Sequence, residues 1–329
     1  MINFNYSPKS FFSLNDWSYG YIFQQLYLIS EGEYGNSFYL NYEDEYWFIS
    51  SSFKKKSEKT TKNGYSFNLN YYLVGKTGNL VRQDDPNVEI QNIAKSSLIH
   101  YLGIGDDLTE FYKFVTEFDE LVDLISILPG YRLSSVLMVE WMPILAYLST
   151  NTTVDMFHNF LMNFLHNWGI NITHSNFKIP CFPPIKNLLP ITEETYRLTK
   201  IGYRSKYMPE MVNCLVSEKT FSQLINNYDK GNDHKKVLKE LNLMKGIGDY
   251  SARCILLYGL RDYSVGFVDS FIKILMNKYF KIDKKIGNKS LQNILDEKFY
   301  PYQGLLIDWL TAVYSITTNT NKDKYFTIK

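Results

Sequence analysis

Cysteine is scarce in this chain: Cys181, Cys214 and Cys254 are the only three, and they lie far apart. An odd, widely spaced set argues against a disulfide framework and against a four-cysteine zinc or iron–sulfur site, which leaves buried thiols as the expectation. Net charge is nearly absent too, at +1, so charge alone points to no nucleic-acid partner. No run is long and apolar enough to span a bilayer. The opening MINFNYSPKSFF lacks the basic start and apolar stretch of a secretory signal. A soluble intracellular protein with no membrane partner is expected, in which the Asn-x-Thr sequences at Asn151 and Asn171 mean nothing.

What is present is hydrophobic and aromatic. At 45% hydrophobic residues the sequence is too apolar for disorder, and its length can hold two or three compact subdomains. The few charges are unevenly spread. Asp106, Asp107, Glu110, Glu117, Asp119, Glu120 and Asp123 face a single Lys113 over residues 106–123. Lys245, Arg253, Arg261, Lys273, Lys278, Lys281, Lys284 and Lys285 outnumber the acids over 242–285. The pattern fits a basic face on a neutral protein, or simply two solvated helix faces.

Residues 1–90 alternate in short stretches such as Tyr46-Trp47-Phe48-Ile49 and Tyr65-Ser66-Phe67-Asn68-Leu69. Breaks at Gly32, Gly35, Asn63-Gly64, Gly75 and Gly78 separate them. That is the pattern of an antiparallel sheet, with Lys54-Lys55-Lys56 at a hairpin tip. From about residue 91 the period becomes helical. Leu121, Leu124, Ile125 and Leu128 predict one helix stopped by Pro129-Gly130, and a second is predicted over 136–148 despite Pro143. A third runs through Phe157, Phe160, Leu161, Phe164 and Leu165 to Gly169; Pro180, Pro183, Pro184 and Pro190 predict an ordered loop over 170–190. Val237, Leu238 and Leu241 then lead into Lys245-Gly246-Ile247-Gly248, a tight turn between apolar helices. Glycines there permit positive φ and close backbone approach, and the amides opening the next helix suit a phosphate oxygen. Ordinary helix–helix turns use the same residues. After a second amphipathic helix and a loop of about eight residues, Asp269 stands where an N-cap belongs.

A helix–hairpin–helix, a glycine- and aromatic-bearing loop and an aspartate 19 positions after Tyr250 resemble the HhH-GPD superfamily of DNA base-excision glycosylases. The likeness is to the branch holding 8-oxoguanine DNA glycosylase and alkyladenine glycosylase. Tyr101-Leu102-Gly103 with Asp107-Leu108 and Phe111-Tyr112, Ser149-Thr150-Asn151, Phe182-Pro183, Ile201-Gly202-Tyr203-Arg204 and Tyr300-Pro301-Tyr302-Gln303-Gly304 follow in the matching order. The resemblance covers roughly 100–315 and is architectural before that. It implies an α+β fold: an N-terminal antiparallel sheet domain (1–95) followed by an all-α helix-hairpin-helix core. That core comprises a first helical subdomain (96–190), the HhH-GPD subdomain (191–299) and a C-terminal helix packing back on it (300–329).

The same resemblance implies the chemistry. Cleavage of an N-glycosidic bond gives the sugar oxocarbenium character, which a carboxylate stabilises while orienting water; Asp269 matches that carboxylate. Bifunctional relatives carry a Schiff-base lysine where this chain has Tyr250, and a phenol forms no imine. A monofunctional enzyme without lyase activity is therefore expected. Lys245, Gly246, Gly248 and Tyr250 would meet DNA at the hairpin, Asn151 and Tyr203 would fill the gap left by a flipped base, and Arg204 would face the orphaned partner. The main-chain oxygens of Asn242, Met244 and Ile247 match a structural Na+ or K+ site; no other cofactor is implied. Tyr250, Cys254, Tyr258, Ile307, Trp309 and Thr311 would line the base pocket. Ile307 and Thr311 stand where oxidised-guanine enzymes carry a base-reading glutamine and a stacking phenylalanine. Met156 stands for an arginine that reads the opposite base, and Phe271 for a histidine. With those readers missing, an aromatic pocket suits an electron-poor alkylated purine. The alternatives are an oxidised or deaminated base, or a DNA-binding protein without catalysis. The expected partner is double-stranded DNA with a damaged base, bound by a monomer in a prokaryotic cytoplasm or a eukaryotic nucleus.

Overall fold

The computed structural model describes residues 2–6, 26–30, 33–42, 45–55, 65–74, 80–83, 85–133, 135–136, 139–174, 177–217, 221–229 and 234–318. They group into two compact units, one of residues 1–137, 270–287 and 306–329, the other of residues 138–269 and 288–305. The chain leaves the first unit at residue 138 and returns to it at 270 and again at 306.

The first unit opens with an antiparallel sheet of six strands in the order β1-β5-β4-β3-β2. These are β1 Ile2–Tyr6, β2 Leu26–Ser30, β3 Glu33–Tyr42, β4 Glu45–Lys55, β5 Tyr65–Val74 and β6 Leu80–Gln83. Strands β1 and β6 share one edge of β5, β1 along Tyr65–Leu69 and β6 along Tyr71–Val74. Period-two burial fixes the face: Trp47, Ile49, Phe67, Leu69 and Tyr71 are all buried, and Ile49 lies opposite Tyr71. Two expected breaks are strand residues. Gly35 pairs with Tyr27 and Ser52, and Lys54 and Lys55 continue the ladder opposite Ser66 and Tyr65. Gly32, Lys56, Asn63-Gly64, Gly75 and Gly78 fall outside the described residues.

Helix Val88–Leu102 follows, capped at its start by the Asn87 side chain on the Glu89 amide at 2.8 Å and ended by Gly103 at φ 65°. The helix expected around Leu121–Leu128 is a short α-helix, Asp119–Val122, that tightens into a 3-10 turn, Asp123–Ser126. Its stripe is only partly used: Leu121 and Leu128 are buried, while Leu124 and Ile125 are half-exposed, too little to hold a regular helix. Helix Ser270–Phe280 and the later turns of Gln303–Thr317 complete the unit.

In the second unit a 3-10 turn, Val139–Trp141, leads into helix Met142–Ser149, which accommodates Pro143 in its first turn, where no amide bond is lost. Helix Val154–Trp168 ends at Gly169. The loop expected over 170–190 is partly a hairpin, Ile170–His174 with Phe177–Cys181. A two-stranded ladder has two free edges, so Pro180 can turn its missing donor outward, and Ile170, Ile172, Thr173 and Ile179 favour extended backbone. Cys254 is buried and Cys214 half-buried, and neither is in a disulfide. Among the described residues no helix is long and apolar enough to cross a membrane.

Candidate active site

Helix His234–Leu241 buries Val237, Leu238 and Leu241 and ends in the glycine turn. Helix Asp249–Cys254 follows and continues as a π-helical turn, Ile255–Gly259. The two glycines of the turn do different things. Gly246 has φ +85°, and a Cβ there would meet Tyr147 Cε2 at 3.1 Å and Met211 Cε at 3.3 Å. Gly248 has an ordinary extended conformation (φ −103°, ψ −179°), and a Cβ there would meet nothing within 4 Å. Neither backbone strain nor internal packing requires that second glycine. It leaves open space in front of the first amides of the helix. Ile247 and Met244 are buried and anchor the turn, whereas Asn242 and Lys245 are exposed. The Met244 carbonyl accepts from the Ile247 amide at 3.0 Å; among the described residues those of Asn242 and Ile247 accept no backbone hydrogen bond.

Tyr250 and Cys254 lie one turn apart on the helix after the turn, and the Asp269 charge reaches both side chains. Burial pushes the Tyr250 hydroxyl well above the ordinary tyrosine value; Cys254 and Asp269 push the same way, and Ser149, within hydrogen-bonding reach, opposes them. Burial likewise raises the Cys254 thiol, with Tyr250 opposing and Asp269 adding. Both groups stay protonated at neutral pH. Asp269, half-buried, immediately precedes helix Ser270–Phe280. Phe267 joins the cluster edge-on to Tyr250 at 5.1 Å between ring centroids and tilted against Tyr258 at 6.1 Å. Tyr258 is itself buried.

The loop that delivers Asp269 is braced from three directions. Arg253 donates from Nη1 to the Gly266 carbonyl at 3.0 Å and grips Asp296 with both terminal nitrogens, at 3.2 and 3.1 Å. Gln292 donates to the same carbonyl at 3.0 Å and to Asp296 at 2.9 Å. Gln303 donates to the Ser264 carbonyl, the Gly304 amide donates to Tyr263 O at 2.9 Å, and Asp262 receives the Ser264 amide at 2.9 Å. Gly304 must be glycine, since a Cβ there would stand 2.5 Å from the Val265 oxygen. Arg253 and Arg261, counted toward a basic face, are internal: Arg253 holds this loop, and Arg261 is buried with its Nη2 on the Tyr263 hydroxyl.

A second cluster forms where helix Met142–Ser149 ends. Asn151 takes a left-handed conformation, φ 47°, and its side-chain amide lies 3.5 Å from the Tyr203 hydroxyl, as does the Thr150 hydroxyl. Tyr203 is 56% exposed. Burial alone would raise its phenol, but the contacts with Thr150 and Asn151 and the Arg204 charge bring it below the ordinary value. Arg204, expected to project toward a partner base, is 3% exposed. Its guanidinium lies over the rings of Phe160 and Tyr203, 4.8 and 4.7 Å from their centroids, and donates to the Thr150 carbonyl.

The remaining expected pocket residues belong to the first unit. Ile307 and Trp309 are fully buried there, Trp309 edge-on to Phe111 at 6.1 Å, and Thr311 turns its hydroxyl back to the Ile307 carbonyl at 2.8 Å. Trp309 therefore packs as a core residue. Met156 is exposed, and Phe271 meets Tyr314 edge-on at 5.5 Å.

No family model and no curated protein matches the sequence. Solved structures do. The 8-oxoguanine glycosylase/lyase of Clostridium acetobutylicum, in complex with double-stranded DNA containing cytosine opposite 8-oxoguanine, superposes with a TM-score of 0.69 at 18% identity over 94% of this chain and 93% of that one. The 3-methyladenine DNA-glycosylase of Archaeoglobus fulgidus does so with a TM-score of 0.72 at 14% identity, over 95% and 98%. The chain has the fold of these glycosylases. Coverage of nearly the whole of each chain brings the amino-terminal sheet, where the sequence likeness is only architectural, into the shared fold.

Proposed function

We propose that this protein is a monofunctional DNA glycosylase that hydrolyses the bond between deoxyribose and a flipped-out, alkylated purine. One observation carries this reading: the Asp269 charge reaches a half-buried, neutral Tyr250, which stands where the family resemblance places a Schiff-base amine. As the base departs, positive charge grows on the sugar, and a fixed carboxylate in a poorly hydrated site stabilises it. The same carboxylate orients water toward the anomeric carbon. Tyr250 cannot form an imine, so water completes the reaction and the strand stays intact. The open face of Gly248, with Lys245 beside it, receives a DNA phosphate, and Tyr203 and Asn151 fill the space of the extruded nucleotide. The open carbonyls of Asn242 and Ile247, with Met244, would hold a Na+ or K+ that bridges the turn to that phosphate and takes no part in bond cleavage.

Support for an alkylated purine comes from the aromatic cluster of Tyr250, Phe267 and Tyr258 beside Asp269, whose uncharged rings suit an electron-poor, cationic base by stacking. The fold it shares with an 8-oxoguanine glycosylase/lyase keeps an oxidised base as the second reading. The test uses end-labelled duplexes carrying 3-methyladenine, 1-methyladenine, hypoxanthine, uracil or 8-oxoguanine, resolved on a gel with and without hot alkali. Breaks that appear only after alkali, and that vanish in Asp269→Asn, are expected. Breaks without alkali would refute the monofunctional reading. Unchanged activity in Asp269→Asn would remove Asp269 from the mechanism.

A further inference from the structure

Building on the glycosylase reading, we infer that Arg204 is a positioning residue that preassembles the Asn151–Tyr203 wedge, and that this protein therefore grips damaged DNA without regard to the base opposite the lesion. A guanidinium reads a base edge by presenting two free N–H donors in its plane. Arg204 lacks the exposure: its guanidinium is buried, and even its Nε, which has no hydrogen-bond partner, is shut away from solvent. One terminal nitrogen is committed to the Thr150 carbonyl and the other faces Ile201 O at 3.5 Å. It also packs over two rings, those of Phe160 from helix Val154–Trp168 and of Tyr203.

These contacts point at the wedge. The Thr150 carbonyl is the peptide oxygen joining Thr150 to Asn151, so Arg204 fixes the bond that sets Asn151 in its left-handed conformation. The ring of Tyr203 rests on the guanidinium, which holds an exposed aromatic side chain in one orientation. Phe160 packs on the guanidinium as well and keeps Arg204 from swinging out. Met156, at the other position from which an opposite base would be read, is an exposed thioether with no donor. The wedge is thus rigid before DNA arrives, and nothing in this cluster distinguishes one orphaned base from another.

The test measures affinity for duplexes carrying a tetrahydrofuran abasic analogue opposite C, T, G or A, which needs no catalysis. Wild-type affinities should agree within about threefold across the four, and Arg204→Met should weaken all four about tenfold by the same factor. Phe160→Leu, which removes only one of the two rings, should do the same more mildly and remains informative if Arg204→Met fails to fold. A 2-aminopurine beside the analogue should brighten on binding wild type, much less on binding Arg204→Met, and not at all with Tyr203→Ala. In the Tyr203→Ala background Arg204→Met should add less than about a twofold loss, an effect that a merely structural role would not produce. A preference of tenfold or more for one opposite base in wild type, erased by Arg204→Met, would overturn the inference and make Arg204 a reader. Failure to excise any lesion while this pattern holds would count against the glycosylase reading alone.

Discussion

Replacing Arg253 with Met tests whether the brace behind Asp269 holds the loop. Arg253 has a side chain 11% exposed, and its partner Asp296 is 36% exposed. Its contact with Asp249, 61% exposed, is a surface i,i+4 pair and contributes about 0.3–0.5 kcal/mol. The paired contacts with Asp296 and the bond to the Gly266 carbonyl carry more. Breaking a fully buried pair costs about 3–5 kcal/mol, but Asp296 regains water and keeps Gln292, as does the Gly266 carbonyl. Met preserves most of the apolar stem, so little cavity is left. The loss should therefore be about 2–3 kcal/mol, a fall in melting temperature of roughly 4–10 °C. Because Gly266 lies three residues before Asp269, the loosened loop should lower single-turnover base release about tenfold or more while DNA affinity changes little. Asp296→Leu leaves Arg253 buried without its main partner and should be at least as harmful. The double variant should be milder than the sum by about 1–2 kcal/mol. A loss below about 0.5 kcal/mol with no coupling between the two sites would refute the claim that this ion pair holds the loop.

Tyr250→Lys places a primary amine beside Asp269; strand breaks without alkali, and an enzyme–DNA adduct trapped by borohydride, are expected on any duplex the wild type excises. Gly248→Ala should leave stability within about 0.5 kcal/mol, since its Cβ meets open space, yet weaken DNA binding about tenfold where a phosphate must approach. Cys254 should resist iodoacetamide in the native protein at mildly alkaline pH and react once denatured, because burial raises its thiol well above the usual cysteine range; rapid native alkylation, read by mass spectrometry, would contradict that burial.

The parts of the fold legible in the sequence are those in which neighbouring residues carry the signal. Alternation marks β4 and β5, and the pairing of glycines with helical periodicity marks the hairpin around Gly246 and Gly248. Where local signals compete, the strongest punctuation misleads. Four prolines over 170–190 suggest a loop, although the β-branched residues among them form a hairpin. Burial set by distant partners leaves no local mark at all. Arg253 meets Asp296 43 residues away, and Arg204 packs on Phe160 from an earlier helix, so the first reads in sequence as one more surface cation and the second as a residue facing the partner base. Phe267 and Ser149 join the Tyr250 cluster in the same non-local way. Trp309 looks like a pocket aromatic only until its burial against Phe111 is known.

The tyrosine at position 250 has a consequence beyond the absence of an imine. Burial raises both Tyr250 and Cys254, so neither contributes a charge at neutral pH. A lysine there would carry positive charge until it lost its proton and would offset the carboxylate's field during bond cleavage. On the proposed mechanism, a phenol in its place adds no positive charge beside Asp269, which favours departure of the base over covalent capture of the sugar. Such a site depends most on how readily the base leaves, and least on help given to the leaving group. That ordering predicts fastest release for cationic, alkylated purines and much slower release for neutral bases such as uracil. A site in which neutral and cationic bases left at equal rates would need a proton donor at the base, and the field argument for Asp269 would then fail.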